Sequence, residues 1–208
     1  STGVTSLVRE SERLESEVGT DVNIYDEAET ANGRMLIEFL DEEKLSLTEN
    51  SLVYIDEAYY DPDPSKSKMA ISMVRGTARF ASGAGNRIKK QNVDVSTPTA
   101  NITMRGTDFT TTIDELGRTM VVLLPDEETG ASSGEIVVYN DGGEVVLTEA
   151  YSATVVSSYD TPPTQSVIIQ GITPNLIDNM FIVNPPSEIR EQIEEDYRDE
   201  KDQDQGIL

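Results

Sequence analysis

Three glycine-bearing runs recur through the middle of this chain at a nearly constant spacing. The tripeptide Arg-Gly-Thr occurs in Val74–Phe80 and again 30 residues later in Met104–Phe109, each time after apolar residues and before a phenylalanine. A third run, Gly134–Tyr139, begins 28 residues after Gly106. Self-similarity at a fixed spacing indicates a repeated structural unit. Because the runs are rich in Val, Ile and Thr, the sequence predicts a repeated β unit.

The same β pattern extends from about residue 20 to residue 159. Short runs of Val, Ile, Thr and Tyr alternate there with Gly, Asn, Asp and Pro turns such as Asn32-Gly33 and Asp141-Gly142-Gly143, which are typical of hairpins. We therefore predict an all-β domain of many short strands over residues 1–159. The predicted strands are 22–25, 34–40, 44–47, 52–55, 69–74, 78–81, 91–95, 100–104, 108–113, 120–124, 136–139, 145–148 and 153–156.

Both ends of the chain differ from this pattern. Residues 6–18 permit a weak amphipathic helix, or equally an extended first strand around residues 4–8. After residue 159, prolines bound an apolar stretch, predicted to be an extended arm over residues 160–186. Ser187 then suits a helix N-cap, so an acidic helix and tail are predicted over 187–208.

Composition excludes several classes of function. The chain of 208 residues has 39 acidic and 16 basic side chains, a formal net charge of −23, and no Cys, His or Trp. Such a charge repels phosphate backbones and anionic lipid, so neither nucleic acid nor a membrane surface is an expected partner. Disulfides, thiolate or imidazole metal sites and His-based triads have no residues to form them. One basic patch (Arg75, Arg79, Arg87, Lys89 and Lys90) could meet the acidic tail of a neighbouring copy.

No apolar stretch approaches the length of about 20 residues that spans a bilayer, and Ser1 is not followed by a signal-peptide pattern. A Ser at position 1 fits removal of an initiator Met from an unexported product, although a trimmed secreted chain would look identical.

The second Arg-Gly-Thr lies in a larger pattern that resembles the FecR-type domain. The hallmark is a Thr-Pro element, a strand ending in Arg-Gly-Thr-x-Phe, a Gly-led strand and closing strands. The matching residues are Thr97-Pro98, Ile102–Phe109, Gly134–Val138, Val145–Thr148 and Ala153–Val156, and the resemblance extends over about residues 4–156. It implies a β-solenoid-like or β-sandwich-like domain that binds other proteins, in iron-uptake signalling across the bacterial envelope or in surface and virion structures. The cytoplasmic and membrane-spanning parts of signalling members have no counterpart here.

The repeated motif itself is expected to be structural. Glycine permits a corner, Thr favours the strand, and the Arg donor fork can bind a carbonyl or carboxylate. The motif residues are Arg75, Gly76, Thr77, Arg105, Gly106, Thr107 and Phe109. Asp108 is expected to form a local salt bridge. The acidic clusters (residues 41–43, 61 with 63, 126–128 and 194–196) are expected to be solvated, and Tyr54, Tyr59 and Tyr60 to be ordinary strand-edge tyrosines.

These observations predict a non-enzymatic protein with no cofactor and no metal, acting as a structural component of an assembly. The leading interpretation is a virion protein of a tailed bacteriophage, present in several copies and bound to other proteins of the particle. The alternative is a FecR-type sensor or signalling module of the periplasm or cell surface, and an enzyme is the third choice. The predicted partner-binding residues lie in the arm and helix: Leu176, Ile177, Met180, Phe181, Ile182, Ile189, Ile193 and Tyr197.

Overall fold

The protein was analysed as a computed structural model, which describes residues 3–63, 66–82, 92–125, 132 and 134–169. Fifteen β-strands make up nearly all of its regular structure, which confirms the predicted all-β class. Their bounds are β1 Thr5–Arg9, β2 Glu12–Glu15, β3 Glu27–Thr30, β4 Met35–Glu38, β5 Lys44–Leu47, β6 Leu52–Tyr59, β7 Lys68–Ala81, β8 Asn92–Ser96, β9 Asn101–Arg105, β10 Asp108–Ile113, β11 Thr119–Leu124, β12 Glu135–Asn140, β13 Gly143–Leu147, β14 Ser152–Val156 and β15 Val167–Ile168.

The strands form two sheets that share the long strand β7. Sheet A has the order β2-β1-β3-β6-β7-β8-β9-β12-β13, and sheet B has the order β4-β5-β7-β10-β11-β14-β15. The first half of β7 pairs in sheet A and its second half pairs in sheet B. The sheets are therefore one continuous, unclosed surface folded over at β7.

Glycines lie where the chain passes between the sheets. At the corner inside β7, Gly76 has φ +93°, and an added Cβ would lie 2.5 Å from the Ser51 Cα. Gly106, with φ +59°, connects β9 of sheet A to β10 of sheet B. Gly134 precedes β12 at the return crossing, where an added Cβ would lie 2.0 Å from the Arg105 carbonyl oxygen. Each of these three glycines therefore lies at a crossing between the sheets, where tight turning or close backbone contact excludes a side chain.

One hydrophobic core lies between the inner faces of both sheets. Residues from sheet A, such as Ile71 and Ile102, belong to the same buried cluster as Leu45 and Val121 from sheet B. Alternation along each strand sends every second side chain inward. At the centre of sheet B, Phe80 on β7 stacks on Phe109 on β10, with ring centroids 4.7 Å apart and planes 7° apart.

One open alternative is decided by the structure, and two strand predictions differ from it. The stretch 6–18 is not a helix: β1 and β2 form a hairpin, so its strand alternative is confirmed, with Glu10 and Ser11 at positive φ in the turn. Residues 22–25 do not form the predicted strand, because hydrogen bonds to Asp26 fold them into a turn. The separate predictions 69–74 and 78–81 are one strand, β7, because Gly76 bends the chain without ending its pairing. Hairpin linkage also has an exception, since β7 and β8 are parallel.

Candidate binding groove

An open groove of about 680 Å³ lies at one end of the molecule, between sheet A and the first strand of sheet B. We call it the β4 groove. Its floor is formed by the buried side chains of Leu7, Met35, Ile37 and Ile55. One wall is the connection 16–24 between β2 and β3, and the other is β4 with the turn that follows it. Carbon-rich floor and walls make this a site for apolar side chains.

Large apolar side chains at the rim of the groove remain in solvent. Val18 is 70% exposed and Leu40 is 89% exposed, and the Ile24 side chain is exposed as well. Tyr25, next to Ile24 in sequence, is 82% exposed and has φ +71°. A cluster of exposed apolar residues around a concave surface is typical of an interaction site.

An ion pair between the half-buried Arg9 and the buried Asp26 fixes the wall formed by the β2–β3 connection. Arg9 on β1 donates from Nε to Asp26 Oδ1 at 2.8 Å and from Nη2 to Asp26 Oδ2 at 2.7 Å. Arg9 Nη2 also donates to the Asp21 carbonyl oxygen, and the Asn23 N–H donates to Asp26. The hydrogen bonds from Arg9 hold the pKa of the fully buried Asp26 carboxyl below its ordinary value, although burial acts the other way. The wall is therefore pre-formed.

The opposite wall, β4, has an unpaired backbone edge. Among the described strands β4 pairs with β5 alone. The Phe39 N–H donates to the Glu43 carbonyl oxygen at 2.8 Å, and hydrogen-bonded and non-bonded pairs alternate in an antiparallel ladder. The backbone N–H and C=O groups of Met35 and Ile37 therefore bond to β5. Those of Leu36 and Glu38 point away from β5. This edge can accept a further strand.

Charges at the β4 groove have one sign. The charged side chains among its lining residues are all acidic: Glu17, Asp21 and Glu38. Tyr60 also lines the groove, and burial, reinforced by the negative charges of Asp41 and Glu43, raises the pKa of its phenol to about 12. The Tyr60 hydroxyl therefore stays neutral in the physiological range. The lining of the groove is therefore mainly apolar, with acidic side chains only among its charged residues.

The Arg-Gly-Thr residues do not line this groove, and they contact other residues of the two sheets. Arg75 donates to Glu29 at 2.8 Å, and Arg105 lies 3.9 Å from Glu135. Thr77 donates its N–H to Ser51 at 3.1 Å, while Thr107 is fully buried. The predicted Asp108 salt bridge is confirmed, since Asp108 lies 3.4 Å from Arg79. Arg75 and Arg105, the two arginines of the motif, therefore lie against different carboxylates.

Other predicted features are dispersed or lie outside the described residues. Arg75 and Arg79 of the predicted basic patch each face a carboxylate, and Arg87, Lys89 and Lys90 lie outside the described residues. Within the described ranges, no group of three acidic side chains could hold a metal ion. Glu43, expected in solvent, is buried instead beside the β4–β5 turn. All of the predicted partner-binding residues, from Leu176 to Tyr197, lie outside the described residues.

Sequence reasoning missed the β4 groove because its parts are far apart in the chain. Residues 16–24 and 35–40 lie next to each other because the β1–β2 hairpin belongs to sheet A and β4 belongs to sheet B. The sequence carried no clear signal, because Val22 and Ile24 fitted the predicted strand 22–25 and Leu40 fitted the predicted strand 34–40. The exposure of Ile24 and Leu40 became evident only in the structure, where residues 22–25 form a turn and β4 ends at Glu38.

Comparison with known proteins gives a family match for the centre of the chain. Residues 26–126 match the model of the family described as FecR protein, a range that runs from β3 to β11. No curated protein matches the sequence. Among solved structures, two crystal structures of a "putative anti-sigma factor" from Parabacteroides distasonis are similar. The first has 13% identity and a TM-score of 0.49, covering 66% of this chain and 57% of that one. The second has 14% identity and a TM-score of 0.47, covering 65% and 56%. The chain thus spans just over half the length of these structures.

Proposed function

Because this chain carries a FecR-type domain over residues 26–126, we propose that it is a non-enzymatic, protein-binding module of the bacterial envelope that acts in signalling or sensing. The family match is the observation that carries the proposal. This proposal adopts the second interpretation of the sequence, an envelope module, and sets aside the first, a phage virion protein, because no comparison supports a virion protein.

The β4 groove supports a protein-binding role. Its inner surface is apolar, its walls are held by the Arg9–Asp26 pair and by β5, and it is open along one side. Protein interfaces use such pre-formed apolar surfaces surrounded by polar groups. A backbone edge beside the groove adds directional hydrogen-bonding groups to that surface.

The chemistry of the chain supports the non-enzymatic part of the proposal. The sequence has no His and no Cys, the usual general bases and nucleophiles. Asp26, a buried carboxylate behind one wall of the groove, is paired with Arg9 and serves to hold the loop. In the described part of the chain, no helix is long and apolar enough to cross a membrane. The apolar β4 groove supports association with the envelope through a protein partner.

The test is cross-linking of the full chain in the cells that produce it. A photoreactive amino acid is placed at exposed positions on several faces, for example at Val18 beside the groove and at Val146 on β13. We expect cross-links to an envelope protein and recovery of the chain in the envelope fraction. Recovery with capsid proteins in sedimenting particles would overturn the proposal in favour of the virion interpretation.

A further inference from the structure

We propose that the β4 groove binds an extended segment of another protein, in which apolar residues alternate with Lys or Arg, and that this segment adds as a strand to the free edge of β4. The inference rests on the proposed protein-binding function and specifies its site and the chemistry of the partner. Three observations carry it: the backbone edge, the faces of β4 and the charges around the groove.

The backbone edge defines the shape of the partner. Leu36 and Glu38 present their N–H and C=O groups away from β5, so an added strand can form up to about four hydrogen bonds with them. β4 is four residues long and continues into the turn at Phe39. An extended segment of about five residues therefore matches the edge, as in strand addition to an exposed sheet edge.

The two faces of β4 define the alternation of the partner. Met35 and Ile37 point into the core and form the groove floor, whereas Glu38 is exposed on the outer face. In a strand beside β4, every second side chain would lie over the apolar floor, and the others would lie next to Leu36 and Glu38. Apolar residues suit the first set, and Lys or Arg suits the second.

The charges around the groove define the charge that the partner segment should carry. Glu17, Asp21 and Glu38 surround the groove, and no basic side chain lines it. The whole chain carries a net charge of −23, so a second copy or an acidic segment would be repelled. A basic segment would gain attraction at long range and cross-strand pairing at contact.

The experiment uses the full chain and short synthetic peptides, with fluorescence anisotropy as the binding measurement. One peptide alternates Lys with Val, a second alternates Glu with Val, and a third is the Lys–Val peptide with N-methyl groups along one backbone edge. We expect the Lys–Val peptide to bind, and the Glu–Val and N-methylated peptides to bind at least about tenfold more weakly. Because the N-methylated peptide keeps its charge, it separates strand addition from nonspecific attraction to an acidic protein.

Variants of the chain locate the site. The double change Glu17→Lys with Glu38→Lys should weaken binding of the Lys–Val peptide about tenfold. A double change is used because Lys44 lies opposite Glu38 on β5 and already offsets part of its charge. The matched control is the double change Glu144→Lys with Glu149→Lys, which shifts the net charge by the same amount at exposed positions outside the groove and should change binding by less than about twofold. Hydrogen exchange should show new protection of the Leu36 and Glu38 amides.

Several results would overturn the inference. These are equal binding of the three peptides, an equal loss in the control with Glu144→Lys and Glu149→Lys, or Leu36 and Glu38 amides that exchange as fast with the Lys–Val peptide as without it. Cross-links to an envelope protein that arise only from positions far from Val18 would also reject this site, while leaving the proposed envelope function intact.

Discussion

Asp26 shows how one buried residue organises a surface. Its carboxylate binds Arg9 through both oxygens and also accepts the Asn23 N–H. These bonds replace the strand expected for residues 22–25 by a turn in which Tyr25 has φ +71°. Sequence periodicity alone could not predict this outcome, since Arg9 is 17 residues away and reaches Asp26 only because β1 pairs with β3.

We predict that Asp26→Asn lowers the free energy of unfolding by about 2 kcal/mol, because it removes charge-assisted hydrogen bonds from a buried site. Urea unfolding at neutral pH measures this change. Asp114→Asn is the control, because Asp114 forms a similar 2.7 Å contact with Arg118 in a more exposed hairpin and should have little effect. Equal losses in the two variants would contradict the role assigned to Asp26.

The same residue predicts a dependence on pH. Since the pKa of Asp26 is lowered in the folded protein, its contribution is fully present above the ordinary carboxyl pKa of about 3.9 and is lost as pH falls below that value. The unfolding free energy of the native sequence should therefore decline more steeply below about pH 4 than that of Asp26→Asn. Parallel curves would contradict this prediction.

Tyr60 gives the corresponding prediction at alkaline pH. Its pKa is raised to about 12 in the folded protein, whereas an unfolded tyrosine ionises near about pH 10. Between these values the unfolded chain loses a proton that the folded protein retains, so stability falls as pH rises. Tyr60→Phe should lose less stability over this interval, as measured by unfolding at successive pH values. An equal loss in both proteins would contradict the assignment.

Among the strands, the repeated glycines lie at crossings between the two sheets. β9 of sheet A leads through Gly106 into β10 of sheet B, Gly134 precedes β12 where the chain returns to sheet A, and β7 crosses between the sheets at Gly76. The crossings at Gly76 and Gly106 run from sheet A to sheet B, whereas the one at Gly134 runs from sheet B to sheet A. The motif predicted a repeated β unit, but only the structure shows which backbone each glycine touches.

We expect Gly134→Ala to lower the free energy of unfolding by about 3 kcal/mol, because its Cβ would lie 2.0 Å from a backbone oxygen that cannot easily move. Gly117→Ala is the control: Gly117 has φ +80° with no atom within 4 Å of an added Cβ, so backbone strain alone should cost about 1 kcal/mol. Thermal unfolding of both variants measures the difference. A larger loss at Gly117 would show that the corner contact is not the important one.

The described strands enclose one main hydrophobic core and a second, small cluster around Val122, Leu124 and Ala153, and the chain as a whole is strongly acidic. With 39 acidic and 16 basic residues, repulsion among surface charges opposes the compact state. We predict that the melting temperature rises when NaCl increases from about 20 mM to about 200 mM, because salt screens that repulsion. Each kcal/mol gained corresponds to about 3 °C. A decrease would show that screened ion pairs such as Arg9–Asp26 outweigh the net charge.

Local alternation and turn residues were enough to predict the all-β class, most strand positions, the glycine-marked repeat and the resemblance to the FecR-type domain. Tertiary structure decided how the two sheets share β7, which turns replace predicted strands, and where the β4 groove lies. Val18, Ile24 and Leu40 are separated in the chain and become one surface only when β1 to β4 join their sheets. Contacts of that kind depend on the order in which distant strands pair, and short-range alternation and turn residues do not specify that order.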